Sequence, residues 1–100
     1  MITEKYELYV GLNDKITKKQ EMDTLSAYKL CVNICKECTI TEATGFYTHT
    51  DGTFTTEKSL KIELFGKTEK EVKHIAELLK KTLNQESVII NKVVAESEFI

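Results

Sequence analysis

The stretch Ile40–Phe65 constrains this chain most: ITEATGFYTHT, then Asp51-Gly52, then TFTTEKSLKIELF. Two strand-like runs meet at an Asp-Gly pair, which accepts the positive φ that both central positions of a type I′ turn require. The reading is a long hairpin with arms of about ten residues, against a usual strand of five or six. In the second arm Phe54, Thr56, Lys58, Leu60, Ile62 and Leu64 share one face. Thr55, Glu57, Ser59, Lys61, Glu63 and Phe65 share the other. Apolar residues gather from Leu60 onward, whereas Tyr47–Lys58 is polar and rich in threonine. The base of the hairpin is therefore expected in a core and its tip in solvent. Ile40, Ala43 and Phe46 break strict alternation, and Gly45 among them predicts a bulge.

The flanking segments mirror one another. Tyr6, Leu8, Val10 and Leu12 alternate with Glu7, Tyr9 and Gly11, which predicts a strand over 6–12. Gly11 falls opposite the apolar face, where a missing Cβ either lets a backbone or ligand approach or marks a twist. Thr17 and Gln20 fit a capping box, so a helix is expected from Lys18 to Lys36. Its apolar positions (Met22, Leu25, Ala27, Tyr28, Leu30, Cys31, Val32, Ile34, Cys35) cover more than half the circumference, wider than one sheet needs. A neighbouring helix or a subunit would cover the second side. Thr68 and Glu71 form another capping box, opening a helix over Glu69–Leu83 whose buried face is Val72, Ile75, Ala76, Leu79 and Leu83, with Asn84 as C-cap. A last strand near 87–96 carries apolar residues on both faces and is expected to be covered on both sides.

The order βαββαβ with right-handed crossovers is the ferredoxin-like α+β arrangement. It places a four-stranded antiparallel sheet against two helices on one face, with the long hairpin between the second and third strands. One domain, 1–100, is expected. Tyr9, Phe65, Ile89 and Val93 fall on the other face, and an exposed apolar patch there predicts a homo-oligomer, trimer or dimer.

Charge and cysteine usage narrow the function. The net charge is −2 and all basic residues are lysine, which argues against nucleic acid as a partner. MITEKYELYV lacks a signal-peptide pattern, no apolar run would span a bilayer, and three cysteines within eight residues make no disulfide framework, so a reduced, cytoplasmic setting is expected. Cys31-x-x-x-Cys35-x-x-Cys38 has the spacing of a radical-type iron–sulfur motif, but 100 residues cannot build the barrel such a cluster needs. The cysteines fall on the apolar arc of a helix and read as small core residues, so no metal and no cofactor is expected.

A catalytic set is not recognisable, which weighs against an enzyme. The projecting hairpin instead suggests a site for a small molecule or a protein at a subunit cleft, with Gly45, Tyr47, His49, Asp51 and Lys58 as candidate ligand-binding residues. Two alternatives stand beside it. One is an interaction module of a phage or mobile element that uses the hairpin as a docking edge. The other is a small enzyme using Tyr9, His49 and Glu63.

The run Thr39-Ile40-Thr41-Glu42-Ala43-Thr44-Gly45-Phe46-Tyr47 resembles the second strand of the nitrogen-regulatory PII-like proteins, where a T-x-x-x-x-G-[FY] run leads into a long loop. The element order also resembles that superfamily and its CutA-like relatives. The resemblance implies trimers that hold small molecules or metal in clefts between subunits, and a regulatory role. The arginines and lysine–glycine elements that hold nucleotide phosphates in that superfamily have no counterpart here.

Overall fold

The computed structural model describes residues 2–48 and 51–100, Ile2 and Thr3 as backbone only. The elements are β1 (Ile2–Gly11), α1 (Thr24–Cys35), β2 (Thr39–Thr48), β3 (Phe54–Phe65), α2 (Glu69–Thr82) and β4 (Ile89–Glu96). The strands form one sheet in the order β2-β3-β1-β4, and each neighbouring pair is antiparallel. This is the expected ferredoxin-like arrangement. β1 starts earlier than the apolar alternation suggested, because Ile2–Lys5 pair with Val93–Glu96.

The core forms where the alternating residues of β1 and β3 meet the helices. Leu8, Val10, Leu60, Ile62 and Leu64 are fully buried, together with Val72 and Leu79 of α2. α2 begins as expected: Thr68 Oγ1 accepts from the Glu71 amide, and the Glu71 carboxylate accepts from the Thr68 amide. Cys31 and Cys35 are core residues of α1, and burial pushes their thiols up to about 11 and about 12.

α1 starts six residues later than expected. The Thr17–Gln20 segment is instead a loop organised by Asp14, whose Oδ1 accepts from the amides of Ile16 and Thr17. Lys18 takes a positive φ of 64°, which no helix allows. The true N-cap is Asp23, accepting from Ser26. Asn84 donates to Asp14 Oδ2 at 2.8 Å and ties this loop to the end of α2. That bond, ahead of the two loop amides, holds the Asp14 carboxyl below its ordinary range. Asn84 itself takes a positive φ of 49° just past the helix, as a C-terminal asparagine does. On the second side of α1, Leu25 and Val32 are exposed within the chain.

Three further expectations are corrected. β4 is an edge strand, and Ile89 and Val94 are more than half exposed, so this chain by itself does not cover it on both sides. There is no bulge at Gly45, because the β2–β3 ladder runs unbroken from Thr39↔Glu63 to Thr48↔Phe54. The irregular apolar pattern there reflects a ribbon exposed on both faces, which nothing forces to alternate. The sheet face away from the helices is also less greasy than expected. Tyr9, Phe65, Ile89 and Val93 do share it, but Lys5, Glu7, Lys61 and Glu63 stand among them. Lys5 contacts Glu63 at 2.8 Å and Glu7 at 3.4 Å, and Lys61 contacts Glu7 at 3.5 Å. The hydrogen bond between Lys5 and Glu63 raises the lysine and lowers the carboxyl from their ordinary values.

The hairpin projects as expected. The molecule measures 45 × 27 × 24 Å, and Phe46 and Phe54 stack at 6.3 Å between ring centres while each stays about 65 % exposed. The turn differs. Thr48 pairs with Phe54, so five residues separate the paired ends instead of the two of a type I′ turn. Gly52 takes a positive φ of 87°, and Asp51 Oδ1 accepts from the Thr53 amide. A two-residue turn at Asp51-Gly52 would set Gly45 opposite Lys58. The observed register sets it opposite Glu57. One residue of shift exchanges the faces of a strand, so this difference decides which side chains Gly45 and Tyr47 join.

Candidate functional site

A cleft of about 650 Å³ lies where the ribbon, the loop after β1 and the connection from α2 to β4 converge. Tyr9, Gly11 and Asn13 come from β1 and its loop, Tyr47, Asp51 and Glu57 from the ribbon, and Gln85, Ser87 and Ile89 from the last connection. Among the described residues lining it, Asp14, Asp51, Glu57 and Glu86 are acidic, against Lys15 and Lys18. The cleft thus favours a cation.

Glu57 is its most defined polar group. Its Oε2 accepts from the Asn13 amide at 2.8 Å, and its carboxylate lies flat over Gly11. Asn13 is in turn fixed from behind: its carbonyl accepts from the buried Gln85 side chain at 2.7 Å. Beside Glu57, the Tyr47 ring folds over Gly45, so close that a Cβ at Gly45 would meet Tyr47 Oη at 2.5 Å. Tyr9 adds a second aromatic wall.

Of the residues singled out by sequence, Tyr47 and Asp51 line the cleft and Gly45 lies beneath Tyr47. Lys58 pairs with Thr44 on the opposite, helix-side face and does not line it. His49 lies outside the described residues. Tyr9 is in the cleft, whereas Glu63 belongs to the lysine–glutamate cluster farther along the sheet. The carboxylate that sequence reasoning missed is Glu57, one step of the alternation beyond Ser59 and two beyond Lys61 toward the tip. Its signal was present, since it shares the face of Glu63 and sits nearer the glycine and tyrosine of β2.

Ser59 is the one described buried side chain whose polar atom lacks a hydrogen-bond partner. It is 5 % exposed and stands between Gly11 and Ala43 in register. An unpaired buried hydroxyl carries its full desolvation cost. Ser59→Ala is therefore expected to raise stability by about 1 kcal/mol, read as a higher urea midpoint with unchanged slope. A lower midpoint would mean that the hydroxyl is paired in solution.

The comparison with known proteins decides the family. The sequence profile of the S-adenosylmethionine lyase family matches residues 12–99. This chain belongs to that family. No curated protein matches it by sequence. Among solved structures, a phage S-adenosylmethionine lyase in complex with S-methyl-5′-thioadenosine is similar, with a TM-score of 0.72 and 21 % identity over 98 % of this chain and 92 % of that one. A phage S-adenosylmethionine lyase in its apo state is similar at 0.67 and 20 % identity, over 99 % and 93 %. CutA from Synechococcus elongatus is similar at 0.55 and 9 % identity, over 95 % and 82 %. The resemblance to CutA-like proteins thus holds for the fold. For this S-adenosylmethionine lyase family member, the PII-like regulatory role has no support from these matches. Among the described residues, no group of three or more histidine, cysteine and acidic side chains could hold a metal ion, and no helix is long and apolar enough to cross a membrane.

Proposed function

We propose that this chain is an enzyme that cleaves S-adenosylmethionine to S-methyl-5′-thioadenosine, with the cleft at Glu57 as its active site. The supporting observation is a carboxylate fixed by a backbone amide in an acid-rich, aromatic-walled cleft, in a chain of this family. The substrate carries a sulfonium and an ammonium, which suit four carboxylates set against two lysines. Tyr47 and Tyr9 offer faces for a purine.

The chemistry follows from the product. S-methyl-5′-thioadenosine keeps the methyl and the adenosyl carbon on sulfur, so the bond that breaks joins sulfur to the amino-acid γ-carbon. The electron pair goes to sulfur, which leaves as a neutral thioether. Elimination would require removal of a β-proton that no carbonyl acidifies. The substrate's own carboxylate can instead bond to the γ-carbon, closing a five-membered lactone with no proton to move. Anion and sulfonium cancel, and the ammonium is kept. The protein's task is then to hold the amino-acid chain curled, a matter of orientation worth many powers of ten in effective molarity. Glu57 performs it by binding the ammonium, and Asn13 keeps Glu57 in place.

The apolar rim of the open face, Tyr9, Phe65, Ile89 and Val93, would seat a second copy, and the cleft at its edge would then lie at a subunit boundary. Incubating the purified protein with S-adenosylmethionine and no methyl acceptor tests the reading. Steady release of S-methyl-5′-thioadenosine is expected, and native mass spectrometry of the same sample should give a mass above the monomer. Substrate left intact over hours would overturn the assignment.

A further inference from the structure

Gly11 is the last residue of β1 and closes its regular pairing with β3, opposite Ser59. Its φ is outside the left-handed region, which only Gly52 and Gly66 adopt among the glycines, so the backbone does not demand glycine there. Space does. A Cβ at Gly11 would fall 2.5 Å from Glu57 Oε1 and 2.6 Å from its Cδ and Oε2. Ordinary contact begins about an ångström farther out, at about 3.5 Å. The carboxylate therefore occupies the volume that any side chain at position 11 would fill, and from that volume it reaches the Asn13 amide.

We infer that Gly11 is a positioning residue, which by carrying no side chain seats Glu57 flat on the sheet and aims its carboxylate into the cleft. The inference deepens the proposed function and rests on it for the role of Glu57. The neighbouring row supports it. Gly11, Ser59 and Ala43 face one another across three strands, and this trough of small residues runs beside the Gly45–Glu57 pair. Asn13, the other half of the seat, is itself held by Gln85 and cannot follow a displaced carboxylate. The atoms that a new Cβ would meet are the end of a flexible side chain, so Gly11→Ala should fold and move Glu57 rather than the sheet.

The test compares wild type, Gly11→Ala, Glu57→Ala and the double variant. Gly11→Ala is expected to lower kcat/KM for S-adenosylmethionine at least tenfold, with no fall in Tm and no loss of affinity for S-methyl-5′-thioadenosine, which has no ammonium. The double variant should be no slower than Glu57→Ala alone. In nitrogen-15 spectra, the Asn13 amide should move in Gly11→Ala toward its position in Glu57→Ala. Unchanged kcat/KM in Gly11→Ala, or an Asn13 amide that stays in place, overturns the inference. If the wild type does not cleave the substrate, the proposed function fails separately. The Asn13 amide then decides alone whether Gly11 seats Glu57.

Discussion

Glu57→Gln is expected to lower kcat/KM for S-adenosylmethionine by about 100-fold while the protein keeps its affinity for S-methyl-5′-thioadenosine. The substitution keeps the shape of the side chain, and the amide oxygen can still accept from the Asn13 N–H. It removes the negative charge. A hydrogen bond to a charged group contributes about 1.5–3 kcal/mol, and each 1.4 kcal/mol is about a tenfold factor. Because the ammonium persists through the reaction, part of the loss should appear in KM. The rest should appear in kcat, since a substrate chain no longer held in its curled geometry closes more slowly. S-methyl-5′-thioadenosine lacks the ammonium, which stays on the lactone, so calorimetric titration with it separates a damaged cleft from a lost charge. Equal losses for substrate and product would place Glu57 in the frame of the cleft instead of at the ammonium.

Leu8→Ala should produce the largest change in stability, about 3–4 kcal/mol, read from urea unfolding with circular dichroism. Leu8 is fully buried on the central strand, between Ile62 of β3 and Ile90 of β4. Truncation leaves a cavity that strands paired on both sides cannot close. For a domain of this size, total stability is about 5–15 kcal/mol, so the loss removes a large share of it. Leu25→Ala is the matching control. Leu25 is 64 % exposed on α1, and its truncation should stay within about 0.5 kcal/mol. A loss of several kcal/mol there would show that a second chain covers that side of the helix.

Thr17-x-x-Gln20 satisfies the letters of a capping box, yet Asp23 is the N-cap. The competing partner was Asp14, which captures the amides of Ile16 and Thr17 and is itself held by Asn84 across 70 residues of chain. Thr68-x-x-Glu71 met no such competitor and forms the box its letters promise. Likewise, both faces of β4 read as buried because Ile and Val occur on both. Only the strand order reveals that β4 is an edge, with one partner and part of its apolar surface left open.

Local periodicity settled the element order, the ferredoxin-like fold, the core face of β1 and β3, and α2 with its cap, because those features depend on spacings of two and three to four residues. Gly45, Tyr47 and Asp51 stood out in the sequence because a polar, aromatic ribbon beyond the core has no packing reason to exist, and the structure sets Tyr47 and Asp51 at the cleft with Gly45 beneath Tyr47. Glu57 and Gly11 became a unit only in three dimensions. Their meeting depends on the strand order, which puts β1 beside β3, and on the register of the hairpin, which five residues between its paired ends set differently from two. A shift of one residue leaves every local pattern intact and exchanges Lys58 for Glu57 opposite Gly45, a choice made by cross-strand packing that no short stretch of the chain contains.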